Sequence, residues 1–248
     1  MPIAVLYDIH ANPDALAAAL AEARAIGVDR LVFGGDVLPG PLPIETLDLV
    51  ASLDVPADFI MGNGESAILS HLSGRGLTHV PPRAREGIEW TAAQLRPGDR
   101  ARLAGWPATL RLTIPALGEV LFCHATPRND TDIFTRHTPD ARLRPVFEPE
   151  GASLVVCGHT HMQFDRTIGA TRVVNAGSVG MPFGAPGAYW LLLSDTVELR
   201  QTSYALDQAA ARIRGSGYPQ AEEFAERNVL HPASEEAMLA LLAQHELR

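Results

Sequence analysis

The chain contains no lysine: all 20 of its basic residues are arginine. That excludes a P-loop lysine, a Schiff-base lysine and a Ser–Lys dyad as its chemistry. Cysteine is nearly as scarce. Cys123 and Cys157 are the two present, without CxxC spacing, so a zinc–cysteine site has no support and reduced thiols are expected. Positive charge is in deficit as well, with a formal net charge of −9. Such a surface does not steer long DNA or RNA toward itself, and a positive field for an anionic substrate must arise locally. No apolar run approaches bilayer-spanning length. The opening residues lack the basic start and apolar stretch of a secretion signal. A cytoplasmic location with no membrane partner is therefore expected. The HExxH spacing of a metal-dependent peptidase is also missing.

What is present suits a single domain. The chain has 248 residues, of which 46% are hydrophobic, enough for a real core. One domain over residues 1–248 is expected, with a core over about 1–200 and a helical C-terminal extension over about 201–248. The run IAVLY at 3–7 reads as a buried strand. Asn12 followed by Pro13 reads as a helix start, and Gly27 as its stop. RLVFGG at 30–35, a helix near 43–53 and DFIMG at 58–62 complete a βαβαβ pattern, the mark of a sheet with helical crossovers. Residues 66–106 read as helices and loops. TLRLTI and EVLFCH read as a hairpin, TPRNDTDIFTRHTPD at 126–140 as a long loop, and SLVVCGHTH, TRVVNAGS and AYWLLLS as continuing the strand pattern, with TVELRQ paired to the last. The tail reads as helices, the final one capped by Ser234.

Asp8 and His10 pose the first chemical question. Two residues apart at the end of a strand, a carboxylate and an imidazole face the same side. Burying both is costly unless a charge pairs with them; a metal ion would do so, and so would a plain Asp–His hydrogen bond. The pattern then repeats. Asp36, Asn63, His124, and the pair His159 and His161 each follow a strand-like run directly. In α/β sheets functional groups gather at the carboxyl ends of strands. Singly, each of these residues reads as a turn or a solvated side chain; five strands ending this way is a constellation.

The ordered set Asp8-Ile9-His10, Gly35-Asp36, Gly62-Asn63, His124 and Gly158-His159-Thr160-His161, with Val174-Asn175-Ala176-Gly177-Ser178-Val179-Gly180 behind it, resembles the calcineurin-like metallophosphoesterase superfamily. The resemblance covers most of residues 3–193 and stops short of the tail. It implies an α/β fold, a four-layer αββα sandwich of two mixed sheets. It implies two divalent metal ions, Mn²⁺ foremost, with Fe, Zn²⁺ or Ni²⁺ as alternatives. Asp8, His10 and His161 would hold one, Asn63, His124 and His159 the other, and Asp36 would bridge them. Carboxylate, imidazole and amide oxygen suit such ions. The implied reaction is attack by a metal-bridging hydroxide on a phosphodiester, phosphoanhydride or phosphomonoester. The expected partner is a small phosphorylated or nucleotide substrate. Phosphoprotein and dinucleoside polyphosphate substrates are alternatives, and an inert protein-binding scaffold a remote one.

Two departures from the family pattern matter. Many members carry a leaving-group histidine directly after the Asn; here Gly64 stands there. This weakly favours diesters, anhydrides or activated esters, which need less protonation. Gly64 could also let substrate approach closely. His71, His79 and His137 are candidate acids, with His137 preferred because it lies in the loop after His124. The second departure is Ala125 after His124. In that loop Arg128 is a candidate for bidentate phosphate binding, and Asn63 for substrate contact. Glu65 reads either as a residue orienting a ligand or as a first-turn carboxylate of the next helix. Asn175 reads as a supporting residue near the site. The segment 66–106 and the C-terminal helices would rim the site or mediate assembly into a homo-oligomer.

Overall fold

The computed structural model describes residues 2–78 and 80–247. Strand β1 (Ile3–Leu6) is buried on both faces, and its side chains divide by parity. Ile3, Val5 and Tyr7 enter one apolar cluster, and Ala4 and Leu6 enter another, as period-two alternation requires. Helix α1 (Pro13–Ile26) starts where Asn12 accepts a hydrogen bond from the Ala15 N–H at 3.2 Å and ends at Gly27 in the left-handed region. Parallel strands β2 (Arg30–Phe33) and β3 (Ala57–Phe59) follow, with helix α2 (Pro43–Ala51) between them. Helices α3 (Asn63–Leu72), α4 (Pro82–Gln94) and α5 (Pro97–Ala104) occupy the segment read as helical and loop-rich.

Strands β4 (Thr109–Ile114) and β5 (Gly118–Cys123) form the expected hairpin. Helix α6 (Asp140–Phe147) and strand β7 (Phe164–Ile168) were not legible in the sequence. α6 carries an internal Pro145, and only the two end residues of β7 are buried. β6 (Leu154–Cys157), β8 (Thr171–Asn175), β9 (Ala188–Leu193) and β10 (Val197–Thr202) fall where the pattern predicts.

Two mixed five-stranded sheets result, in the orders β10-β9-β1-β2-β3 and β4-β5-β6-β8-β7. Ile3, Val5, Tyr7 and Val32 of the first meet Val120, Phe122, Val156 and Val174 of the second in the central core. Ala4, Leu6, Phe33 and Trp190 face α1 to α5 on one outer side, and Leu121, Val155 and Val173 face Leu143, Val146 and Phe147 of α6 on the other. This is the four-layer αββα sandwich. Beyond β10, helices α7 (Leu206–Arg214) and α8 (Ala221–Phe224, continued as a π-helix to Leu230) build a small cluster against Leu42 and Met181. The final helix α9 (Glu235–Leu242) is capped by Ser234 and buries none of its residues fully. Among the described residues, no helix is long and apolar enough to cross a membrane.

Candidate metal centre

The strand ends converge at one edge of the sandwich. Five of the polar residues there, Asp8, His10, Asp36, His159 and His161, take φ between 47° and 64°. Non-glycine residues enter this region at a cost of roughly 1–3 kcal/mol each, so it takes a surrounding framework to hold them. Backbone hydrogen bonds supply it: Asp8 N–H to Gly35 O, His10 N–H to Asp36 O and Gly180 N–H to Asp8 O, at 2.9–3.1 Å. Each strained turn aims a side chain inward instead of continuing its strand.

The imidazoles are fixed in tautomer as well as place. Nδ1 of His10 donates to Pro39 O at 3.3 Å, Nδ1 of His124 to Gly34 O at 3.0 Å, and Nδ1 of His161 to Met181 O at 2.7 Å. A carbonyl can only accept, so each neutral ring points a bare Nε2 into the site. His10 Nε2 and His161 Nε2 stand 3.3 Å apart, and His124 Nε2 stands 3.0 Å from Asn63 Oδ1. Asp8 Oδ1 lies 3.3 Å from His161 Nε2, fully buried, with no hydrogen-bond donor among the described residues. Acceptors facing acceptors in a buried pocket repel unless a cation lies between them. The residues therefore fit metal binding.

Among the described residues, two groups of side chains are close enough to share an ion, Asp8 with His10 and His161, and Asp8 with Asp36 and His124. Asp36 spans both sides, Oδ2 being 3.7 Å from His10 Nε2 and Oδ1 3.6 Å from His124 Nε2. His159 lies outside both groups. Its ring packs edge-on against His124 at 5.2 Å, and its backbone N–H donates to Asp8 Oδ2 at 2.9 Å.

Electrostatics follow from this crowding. Burial and the neighbouring His161 push His10 down to about 3, and burial and His124 push His159 down to about 3. Burial, with Asp8 nearby, lifts Asp36 to about 6. Burial also opposes the Asp8 carboxylate, but His161 and the other imidazoles hold it well below the usual range.

Supporting residues surround the cluster. Glu65 is fully buried at the first turn of α3. Its carboxylate accepts from the N–H groups of Asp36, Gly62 and Leu38, each at 2.9 Å. Burial and Asp36 raise it to about 7. Asn175 donates to Gly158 O and Thr160 Oγ1 and accepts from Gly177 N–H, tying down the His159–His161 turn. Phe183 stacks on His161 with centroids 5.5 Å apart, a contact no sequence signal announces.

Gly64 is not an opening to substrate. A Cβ there would fall 2.2 Å from Leu38 O and 2.6 Å from Pro39 Cδ. The close approach it permits is to its own chain, and its N–H donates to Asp36 Oδ1 at 2.7 Å. Arg128 does not offer the expected fork. Its Nε and Nη2 both bind Asp132 Oδ2, at 2.9 and 2.6 Å. It does line a cavity of about 380 Å³ beside His124. His137 is exposed, and no hydrogen bond or ion pair among the described residues links its ring to the cluster. His71 lies in the last turn of α3, and His79 lies outside the described residues.

Comparison with known proteins agrees with this architecture. Residues 1–196 match the calcineurin-like phosphoesterase superfamily domain, and the chain belongs to that family. An uncharacterized protein of Methanocaldococcus jannaschii is 24% identical over 88% of this chain and 94% of its own. A metallophosphoesterase from Sphaerobacter thermophilus superposes with a TM-score of 0.70 at 26% identity, covering 92% of this chain and 97% of that one. A hypothetical protein from Pyrococcus horikoshii superposes with a TM-score of 0.77 at 20% identity, covering 94% and 99%.

Proposed function

We propose that the protein is a two-metal phosphoesterase acting on a small phosphoester whose leaving group departs with little protonation. The observation that carries this reading is the pair of acceptor–acceptor contacts, His10 with His161 and His124 with Asn63, around the unpaired Asp8 Oδ1. Asp8, His10 and His161 would hold one divalent cation, Asn63, His124 and His159 the other, and Asp36 would stand between them. When bound, such a pair supplies Lewis acidity and an activated water for in-line attack at phosphorus.

The chain's own residues do the rest. Pro39, Gly34 and Met181 carbonyls hold the histidines in the ligating tautomer. Glu65 and the Gly64 N–H fix Asp36 in position. No histidine follows Asn63, and His137 is exposed, which favours diesters and activated esters over alkyl monoesters. Mn²⁺ suits the oxygen- and imidazole-rich donor set.

The test is hydrolysis of bis-p-nitrophenyl phosphate and p-nitrophenyl phosphate by metal-stripped protein, with and without added Mn²⁺. Mn²⁺-dependent turnover that Asp36→Asn nearly abolishes is the expected result. Unchanged turnover in that variant would refute the assignment. No turnover with any metal would favour the scaffold role.

A further inference from the structure

The cavity beside His124 has a charge distribution that bears on the substrate. Trp106, Met61 and Pro127 give the cavity an apolar lining, and Trp106 is backed by a stack, lying on Phe59 with centroids 4.9 Å apart while Phe59 lies on Phe33 at 4.7 Å. Arg128, Asp130 and Ser66 line the cavity as well. Asp132, buried to 4% exposure, takes the Arg128 fork and is held in turn by Thr126 Oγ1 at 2.8 Å. The Arg128 charge is thereby matched. Asp130 is different. Its Oδ2 accepts one hydrogen bond, from Ser66 Oγ at 2.6 Å, and among the described residues no arginine or histidine pairs with it. A free carboxylate thus lines a pocket that opens onto a site for anionic phosphoryl groups.

This arrangement acts by attraction and by rejection. A carboxylate is an acceptor only, and its hydrogen bonds to donor groups are among the stronger ones. It rewards a substrate that brings hydroxyl or N–H groups and repels one that brings a second phosphate. The apolar lining takes a ring face or another apolar surface. A volume of about 380 Å³ is enough for one small organic group.

Resting on the phosphoesterase reading above, we infer that this cavity binds the organic group of a nucleoside-like phosphoester carrying a single phosphoryl centre, with Asp130 accepting from its donors and excluding further phosphates. Polyphosphate substrates, dinucleoside polyphosphates included, are disfavoured by the same carboxylate. Asp130 is then a specificity-determining residue, with Ser66 fixing its rotamer.

The experiment compares three chromogenic esters in Mn²⁺: bis-p-nitrophenyl phosphate, thymidine 5′-(p-nitrophenyl phosphate), and the same nucleoside diester with an added 3′-phosphate. The wild-type protein is expected to prefer the nucleoside diester to its 3′-phosphorylated form by at least tenfold in kcat/KM. Asp130→Asn, which keeps an acceptor for Ser66, is expected to cut that ratio by about tenfold, and Ser66→Ala by less. Calorimetric binding of thymidine 5′-phosphate against thymidine 3′,5′-bisphosphate gives the same comparison without turnover. A wild-type ratio near one, or a ratio that Asp130→Asn moves less than twofold, overturns the inference while Mn²⁺-dependent hydrolysis leaves the phosphoesterase reading standing. Absence of hydrolysis of all three esters overturns both.

Discussion

Placing at position 64 the histidine that many members of the family carry after the Asn is expected to damage the protein and not to supply the missing acid. The Cβ would meet Leu38 O at 2.2 Å and Pro39 Cδ at 2.6 Å, and Leu38 O is a backbone atom that no rotamer change can move aside. Overpacking of this kind costs about 1–3 kcal/mol. Moving the Gly64 backbone to relieve it lengthens the 2.7 Å hydrogen bond to Asp36 Oδ1, and a hydrogen bond to a charged group is worth about 1.5–3 kcal/mol. The sum is roughly 3–6 kcal/mol, which lowers the melting temperature by on the order of 10 °C in a chain this size. Thermal melts of metal-stripped wild type, Gly64→His and Gly64→Ala measure it. Alanine carries the same Cβ, so it is expected to lose nearly as much as histidine. A Gly64→His protein with wild-type melting and faster turnover of poor leaving groups would refute this reasoning.

Three further outcomes follow from the site. Glu65→Gln replaces one acceptor oxygen with a donor facing N–H groups of Asp36, Gly62 or Leu38; a loss of about 10–100-fold in metal affinity is expected by analogy with other ligand-supporting residues, and wild-type affinity by calorimetric titration would contradict it. Asp36 and Glu65 are raised to about 6 and 7 when folded, so in metal-free protein their contribution to stability is full below the unfolded carboxylate range and is lost as pH rises through those values. Because a cation binds the ionised form of Asp36, the Mn²⁺-induced rise in melting temperature is expected to grow from pH 5 to pH 8; a shift that is flat or falls over that range would contradict it. His10 and His159, lowered to about 3, carry the opposite sign, their contribution being lost as pH falls below the unfolded histidine value. Between pH 6 and pH 4 this loss is offset by the gain at Asp36 and Glu65, so the melting temperature of the metal-free protein is expected to stay nearly flat over that range, and a steep fall between pH 6 and pH 4 would contradict it.

Strand ends and their polar residues were legible because two local rules coincide. Runs such as residues 3–6 and 154–157 bury both faces and must be apolar throughout, so the first polar residue after each run stands out. The caps Asn12 and Ser234 are equally local, each depending on a backbone N–H three residues away. Strand β7 and helix α6 escaped because neither has a full apolar pattern of its own; each gains its place from neighbours across the second sheet's outer face. Only the tertiary structure decided which way functional groups point. Gly64 looked open in the sequence and is closed by the Leu38–Pro39 turn; Arg128 looked free and is held by Asp132. Asp130, unremarked in the sequence, lines the cavity with no arginine or histidine partner among the described residues. Sequence determines which donors and acceptors a chain owns, because that is written in residue type. Whether a given one is already satisfied depends on contacts between segments far apart in the chain, and those exist only once the two sheets have closed on each other.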